Sequence, residues 1–598
     1  MKIKCEINNI PLEVEKGTTV LDAAKKIGIK IPTLCYFEGL QNPGSCRLCV
    51  VEVEGAATLL PSCITEVSDG MKIKTNSKRV RGARKILLEL LLSSHPWECN
   101  TCDRNQDCEL QTLADEYGLR EVRFNTEKEK LPLDTSTPGI VRDPNKCILC
   151  RRCVTACQEI QNVSTLGPRY RGIKTIIAPA EVDLLSDAVC VQCGQCAAVC
   201  PVGAITEHSD IDAVWEALED PNKYVIVQTA PAIRAALGEC FDLPPGTLVK
   251  GRMVTALRML GFDQVFDTNF AADLTIIEEG NELLTRLKKK LVDKDDSVKL
   301  PMFTSCSPGW INYMEHFYPE LKDNVSTCKS PQQMFGAVAK TYFADKIGRK
   351  KEDMVVVSIM PCTAKKFECN RDEMSDSGVQ DVDYVLTTRE LGKMIKQAGI
   401  DFVNLPDGVM DAPLGISTGA ADIFANTGGV MEAALRTAYE VVTGKDLPFE
   451  KLHVTPVQGL EGVKEAELTI KGALPEWNFL EGVTLKVAVA HGLGNASRVI
   501  ESVLKGEKEY HFIEIMTCPG GCIGGGGQPR LTSDEVRLAR IQAIYKEDEG
   551  RELRKSHDNP AIKQLYEEFL GTPLGEKSHH LLHTTYFDKK NSKNKAKV

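Results

Sequence analysis

The chain has 598 residues. At ~150 residues per domain this predicts about four domains, enough to bury a substantial core. Apolar residues make up 42% and charged residues 26%, an ordinary globular composition that excludes disordered, collagen-like and coiled-coil classes. The formal net charge is -10 and no strongly basic stripe stands out, so nucleic acid is excluded as a partner. The opening MKIKCEINNIPLEVEKG has neither a secretory apolar core nor a twin-arginine signal. No run approaches the ~18 apolar residues of a membrane span, so the sequence reads as cytoplasmic, without a membrane partner. Cysteine is the anomaly: 16 of the 23 lie before residue 201. Cytosolic thiols are kept reduced, and dense, regular cysteines therefore point to metal rather than to disulfides.

Residues Lys2 to Val14 alternate apolar and polar as two short strands joined through Asn8 and Asn9, and Thr18 to Ile27 reads as an amphipathic helix. Cys35, Cys46, Cys49 and Cys63 follow, with ten, two and thirteen residues between them. A separated Cys, a close pair and a distant fourth share the logic of the plant-type 2Fe-2S pattern, with tetrahedral zinc as the alternative. Lys78 to Ser94 predicts a helix that delivers His95, Cys99, Cys102 and Cys108, a set that by itself suits zinc equally well. Cys147, Cys150, Cys153 and Cys157 then recur 43 residues later as Cys190, Cys193, Cys196 and Cys200. This is the bacterial ferredoxin run in duplicate, in which the fourth Cys of each run ligates the other run's cluster. Without Cys5, the first 200 residues supply fifteen Cys and His95, four sets of four. One 2Fe-2S and three 4Fe-4S centres are therefore expected, and four in series favour electron transport over structural stapling.

After residue 210, Tyr224–Val227, Met354–Ile359, Lys486–Ala490 and Phe512–Met516 are continuous apolar runs separated by helical stretches, as in buried parallel strands. Ligands of open α/β sheets collect beyond the carboxyl ends of strands. His491-Gly492-Leu493-Gly494 lacks a third glycine at dinucleotide spacing, and no NAD or flavin site is evident in the chain. Three segments bring further cysteine: TSCSPGW around Cys306, MPCTAKKFE around Cys362, and MTCPGGCIGGGGQP with Cys518 and Cys522. Concentrated glycine would let backbone approach a bulky inorganic group. An ordinary cluster, or three buried thiols beside a flexible loop, is the plainer reading.

These three motifs, in this order and behind this N-terminus, resemble the catalytic subunit of an iron-only (FeFe) hydrogenase over nearly the whole chain. The N-terminal wiring is most similar to the large subunit of NAD-linked, electron-bifurcating multimeric hydrogenases, and its clusters resemble those of the large electron-transfer subunit of respiratory complex I. The resemblance implies an H-cluster, a 4Fe-4S cube joined through one cysteine sulfur to a diiron subcluster with CO, cyanide and a bridging dithiolate amine. It implies Cys362, Cys518 and Cys522 as cube ligands, Cys522 being shared with the diiron unit. It also implies Lys365 as a donor to a cyanide, with Ala230, Pro231, Gln332, Met360, Phe424 and Met516 lining the site. Cys306 matches the thiol beside the bridging amine, and Glu279, Ser326 and Glu282 the groups that carry the proton outward.

One position departs from the pattern: the family's first motif usually has two adjacent cysteines, and here Ser307 falls on the ligand. An alkoxide is harder and less readily formed than a thiolate. Ser307 ligates, or the loop slips so that Cys306 ligates, or the cube is impaired. Cys5, Cys240, Cys328 and Cys369 read as small buried hydrophobes. The histidines of Ser578–Thr584 are not expected to bind metal, and Lys589–Val598 is a basic tail.

The expected architecture is multidomain α/β and α+β. It comprises a β-grasp 2Fe-2S ferredoxin domain (1–78), a His/Cys 4Fe-4S domain (79–138), a two-cluster ferredoxin domain (139–210), a two-lobed α/β catalytic domain with parallel sheets (211–530) and a helical C-terminal segment (531–598). The expected activity interconverts dihydrogen with protons and electrons. The expected partners are a flavin-bearing NAD(H)-binding subunit, a small 2Fe-2S subunit, ferredoxin and maturation proteins. The alternatives are an electron-transfer or redox-sensing homologue without turnover, motivated by Ser307, and a monomeric ferredoxin-dependent hydrogenase.

Overall fold

A computed structural model describes residues 1–124, 126, 128–530 and 532–590. Residues 591–598 of the expected basic tail lie outside the described residues. The chain divides into two compact units, one of Met1–Glu159, Ser164–Cys190 and Val199–Thr206, the other of Ile160–Val163, Val191–Ala198 and the residues from Glu207 onward.

In the N-terminal unit, strands Lys2–Ile7 and Ile10–Glu15 pair antiparallel through a turn in which Asn8 and Asn9 both take positive φ, 50° and 67°. Asparagine tolerates that conformation, and two such residues match the twist of a tight hairpin. Lys2–Ile7 pairs parallel with Met71–Lys74, which pairs antiparallel with Val50–Val53, and Leu60–Pro61 closes a mixed five-stranded sheet. Helix Val20–Lys26, capped by the Thr19 side chain, packs Val20 and Leu21 against Ile3, Ile7, Val51 and Ile73. This is the expected β-grasp module. Helix Lys78–Leu92 follows, capped by Ser77, and its buried Arg84 donates to the Val50 carbonyl at 2.8 Å.

The second unit holds two four-stranded sheets. The first is wholly parallel, in the order Gln264–Asp267, Tyr224–Thr229, Met354–Met360, Tyr384–Thr387. In the second, Met302–Phe303, Phe512–Met516 and Thr484–His491 run parallel and Val463–Thr469 closes the edge antiparallel. All seven residues of Met354–Met360 are buried, so its pattern is continuous; Val463–Thr469 alternates buried and exposed, as a one-sided edge strand does. The four apolar runs picked out from the sequence are strands. Gln264–Asp267, Met302–Phe303 and Tyr384–Thr387 were not picked out because two to four residues carry no readable period.

Helix Thr268–Leu291 starts directly after a strand, with the Asp267 carboxylate accepting from the Asn269 N–H. Asp267 also binds the fully buried Arg234 at 2.7 Å, and Arg234 reaches Asp422 at 2.8 Å and Glu547 at 3.1 Å. One guanidinium thereby joins the first sheet, helix Gly419–Asp422 and helix Asp534–Glu549 of the C-terminal segment. Removing it leaves buried Asp267 with only Lys250, at 3.5 Å, and buried Asp422 with only Arg551, at 2.8 Å, as counter-charges. Arg234→Met should therefore destabilise the unit by ~3–5 kcal/mol, read as an earlier guanidinium midpoint of the transition reported by buried Trp310 fluorescence.

Candidate functional site

Four parallel strands release their chains at one cavity of ≈ 780 Å³. Tyr224–Thr229 leads to Ala230 and Pro231, and Met302–Phe303 to Cys306 and Ser307. Met354–Met360 leads to Cys362, and Phe512–Met516 to Cys518 and Cys522. Gln332, Lys365 and Phe424 complete the wall, so every residue expected to hold or line the catalytic group borders this one cavity. The Gln332 Oε1 is buried and has no hydrogen-bond partner. The converging set of thiols, soft ligands, is what fits an iron-sulfur group here.

Lys365 lies on helix Ala364–Cys369. Its ammonium donates to Glu368 Oε2 at 2.9 Å and to the Cys306 carbonyl at 3.2 Å. An ammonium has three donors, which leaves one for the cavity. Glu368 also accepts from Gln332 Nε2 at 3.1 Å and Ser330 Oγ at 2.8 Å. Sequence reasoning assigned Glu368 no role, although its three-residue spacing from Lys365 on a helix was a readable signal. Thr517 was likewise missed. Its N–H donates to Ser307 Oγ at 3.2 Å, and the two hydroxyls lie 2.7 Å apart.

The expected purpose of the glycine run needs correction. A Cβ at Gly525 would sit 2.2 Å from the Pro361 carbonyl oxygen, and one at Gly526 would sit 2.3 Å from that of Cys193. These glycines let loop pack on loop; those at the cavity are Gly309 and Gly521, the latter at φ +91°. His491 is a brace for the same loop: its Nδ1 accepts from the Gly520 N–H and its Nε2 approaches the Leu460 carbonyl, each at 3.1 Å.

Behind Cys306, helix Thr268–Leu291 presents Glu279 and Glu282. Glu279 is buried with Oε1 unpartnered, and burial, then the neighbouring Glu282 charge, pushes its pKa up to about 8. Ser326 lies beside Glu279 and donates to Glu282 Oε2 at 2.9 Å. Glu282 pairs with Arg286 at 2.6 Å. Burial, and then Glu279, raises the Cys306 thiol well above its ordinary value, keeping it protonated. Cys306, Glu279, Ser326 and Glu282 are thus neighbours in the fold.

In the N-terminal unit, Cys35, Cys46, Cys49 and Cys63 are buried; Cys35 contacts Cys46 and Cys63, and the Cys49 and Cys63 sulfurs lie 3.4 Å apart. No cysteine among the described residues forms a disulfide. His95, Cys99, Cys102 and Cys108 border a second cavity, where His95 Nδ1 is buried without a partner and burial lowers the imidazole pKa to about 4, leaving it neutral as a ligand must be. A Cβ on Gly203 there would sit 2.9 Å from Cys102 Sγ. Cys147, Cys150, Cys153 and Cys200 border a third, the cross-paired set that a duplicated run requires. Cys157 and Cys190 belong to the N-terminal unit, and Cys193 and Cys196 to the segment Val191–Ala198 of the other. Of the cysteines expected as buried hydrophobes, Cys5, Cys328 and Cys369 are buried, but Cys240 is only half-buried.

The fold and cavity define an iron-only hydrogenase, and the chain belongs to that family. Residues 223–526 match the iron only hydrogenase large subunit, C-terminal domain, and residues 534–589 the iron hydrogenase small subunit, here continuous with it. A 2Fe-2S iron-sulfur cluster binding domain matches residues 1–78, the NADH-ubiquinone oxidoreductase-G iron-sulfur binding region 84–123, and a 4Fe-4S dicluster domain 146–204. The chain is 54% identical to the NADP-reducing hydrogenase subunit HndD of Solidesulfovibrio fructosivorans, over 96% of this chain and 97% of that one. It is 40% identical to Iron hydrogenase 1 of Clostridium pasteurianum, over 97% and 99%. A solved variant of the [FeFe]-hydrogenase HydA1 from Chlamydomonas reinhardtii is 46% identical, with a TM-score of 0.58 over 64% of this chain and 99% of that one. Among the described residues no helix is long and apolar enough to cross a membrane.

Because Glu279 titrates near 8 when folded and at an ordinary 4.5 when unfolded, its contribution to stability is full below 4.5 and is lost as pH rises through about 8. Thermal unfolding curves of the wild type and Glu279→Gln should diverge between about pH 4.5 and 8 and run parallel above it.

Proposed function

We propose that the protein interconverts dihydrogen with protons and electrons at the main cavity. We also propose that it exchanges electrons through its N-terminal clusters with a flavin-bearing NAD(H)-binding subunit, a small 2Fe-2S subunit and ferredoxin. The convergence of Cys306, Ser307, Cys362, Cys518 and Cys522, with Glu279, Ser326 and Glu282 behind them, carries this reading. When bound, the H-cluster supplies activation of dihydrogen and the iron-sulfur clusters supply electron transfer. Cys35, Cys46, Cys49 and Cys63 would hold the 2Fe-2S group, and the His95 and two ferredoxin sets three 4Fe-4S groups. The word NADP-reducing in the name of HndD, and its being a subunit, supports a nicotinamide-linked assembly.

The chain's own residues move the proton. Cys306, held as a thiol at the cavity, gives up a proton and takes one back, and Glu279, neutral at pH 7, relays it through the Ser326 hydroxyl to Glu282. Met360, Met516, Phe424 and Pro231 keep the cavity wall apolar and exclude water.

Ser307 takes the fourth ligand position in this reading. With the Thr517 hydroxyl donating, two hydrogen bonds converge on the Ser307 oxygen and favour its deprotonated form. This leaves Cys306 for proton transfer.

After co-expression with the maturation proteins, infrared spectra should show iron-bound CO and cyanide, and dithionite-reduced methyl viologen should drive dihydrogen evolution. Bands without gas would favour an electron-transfer or redox-sensing role. Ser307→Cys should slow chelator-driven loss of cube iron, a thiolate being the softer ligand, and shift the cube's redox potential; identical iron loss and potential would remove Ser307 from the ligand set.

A further inference from the structure

The C-terminal segment reaches the proton line at a point that the reading above leaves unused. The Lys329 N–H donates to the Leu582 carbonyl at 2.8 Å and the Thr584 N–H to the Thr327 carbonyl at 2.7 Å, which sets His583 opposite Cys328. The buried His583 ring then lies between two partners. Its Nδ1 is 2.8 Å from Thr327 Oγ1, and its Nε2 is 3.2 Å from Glu278 Oε2. The Thr327 hydroxyl is also 3.4 Å from Glu282 Oε2, and the Thr327 N–H donates to both Glu282 oxygens.

Glu278 collects donors from Tyr566, Ser578 and the Leu574 N–H besides His583. Burial works against ionisation, but the bonds from His583, Ser578 and Tyr566 outweigh it and hold the carboxyl below its ordinary range. A carboxylate, an imidazole and a hydroxyl in this order form a unit in which the carboxylate fixes the ring's tautomer and stabilises its cation.

We propose that Thr327, His583 and Glu278 form a proton-holding branch off Glu282, so that one of the two protons released per dihydrogen waits on His583 while the other leaves. The proposal rests on the reading of Glu282 as part of the proton line. A proton on Glu282 passes to Thr327 Oγ1 as the hydroxyl's own proton passes to His583 Nδ1. Glu282 is left as carboxylate, Thr327 as hydroxyl and His583 as imidazolium beside ionised Glu278; no electrons move. The other charged or titratable groups facing the branch are Arg286 on the Glu282 helix, Cys328 beside Thr327, and Tyr566, His579 and Tyr586 on the C-terminal segment. His579 stacks on the His583 ring with centroids 4.7 Å apart.

The test uses the matured full-length enzyme with Thr327→Val, Thr327→Ser and His583→Gln. Dihydrogen oxidation is followed from pH 6 to 9 with methyl viologen as acceptor, and infrared difference spectra are taken with isotope-labelled histidine. Thr327→Val and His583→Gln should lower kcat roughly three- to tenfold with a changed pH profile and KM unaltered, and Thr327→Ser should restore the wild-type profile. The imidazolium band of His583 should appear in the wild type and be missing in Thr327→Val, where the ring is still present. Wild-type profiles in both variants, or an imidazolium band that persists in Thr327→Val, overturn the branch. A matured wild type that shows neither turnover nor bound CO and cyanide instead overturns the site reading beneath it.

Discussion

The constraint on which the catalytic unit depends is that parallel strands end together. A strand within a parallel sheet is hydrogen-bonded along both edges and covered on both faces, so its direction and register are held by the core. Its last residue is therefore a fixed point. Tyr224–Thr229 and Met354–Met360 in one sheet and Phe512–Met516 in the other supply three such points around one cavity, and the edge strand Met302–Phe303, tied on its outer side by the single bridge of Phe303 to Val325, supplies a fourth end. Side chains separated by more than two hundred residues meet there within a few residues of a strand end, where little loop freedom remains to misplace them.

Helix Thr268–Leu291 shows how local surroundings assign different states to one residue type. Glu278 and Glu279 are neighbours in sequence and both are buried. Glu278 faces the C-terminal segment, collects several hydrogen-bond donors and stays ionised. Glu279 faces Glu282 and Ser326 with one oxygen unpartnered, and is neutral at pH 7. Successive helix positions point about 100° apart, and that rotation separates a structural anchor from a group able to give and take a proton.

The same economy appears among the groups around the thiols. Glu368 holds Lys365, Gln332 and Ser330 by one carboxylate oxygen, and Thr517 holds Ser307 through both its N–H and its hydroxyl. Such supporting contacts fix where a side chain at the cavity points, and they are made by residues with no motif of their own. The glycine run behaves alike. Its composition was legible, but its reason is contact of backbone on backbone at Pro361 and Cys193, which only the folded loops reveal.

The sequence by itself determined where cysteine and histidine gather at short spacing, because residue type and spacing survive in one dimension: the Cys35, His95, Cys147 and Cys190 sets, and the motifs around Cys306, Cys362 and Cys518. It also determined the long buried strands, whose continuous apolar runs have no other economical reading. Tertiary structure alone decided what depends on through-space contact: the short strands that carry no period, Thr517 against Ser307, the opposite ionisation of Glu278 and Glu279, and His583 brought to Glu282 from 301 positions away. Hydrogen bonding and desolvation act over a few ångströms irrespective of chain separation, so no local pattern encodes them.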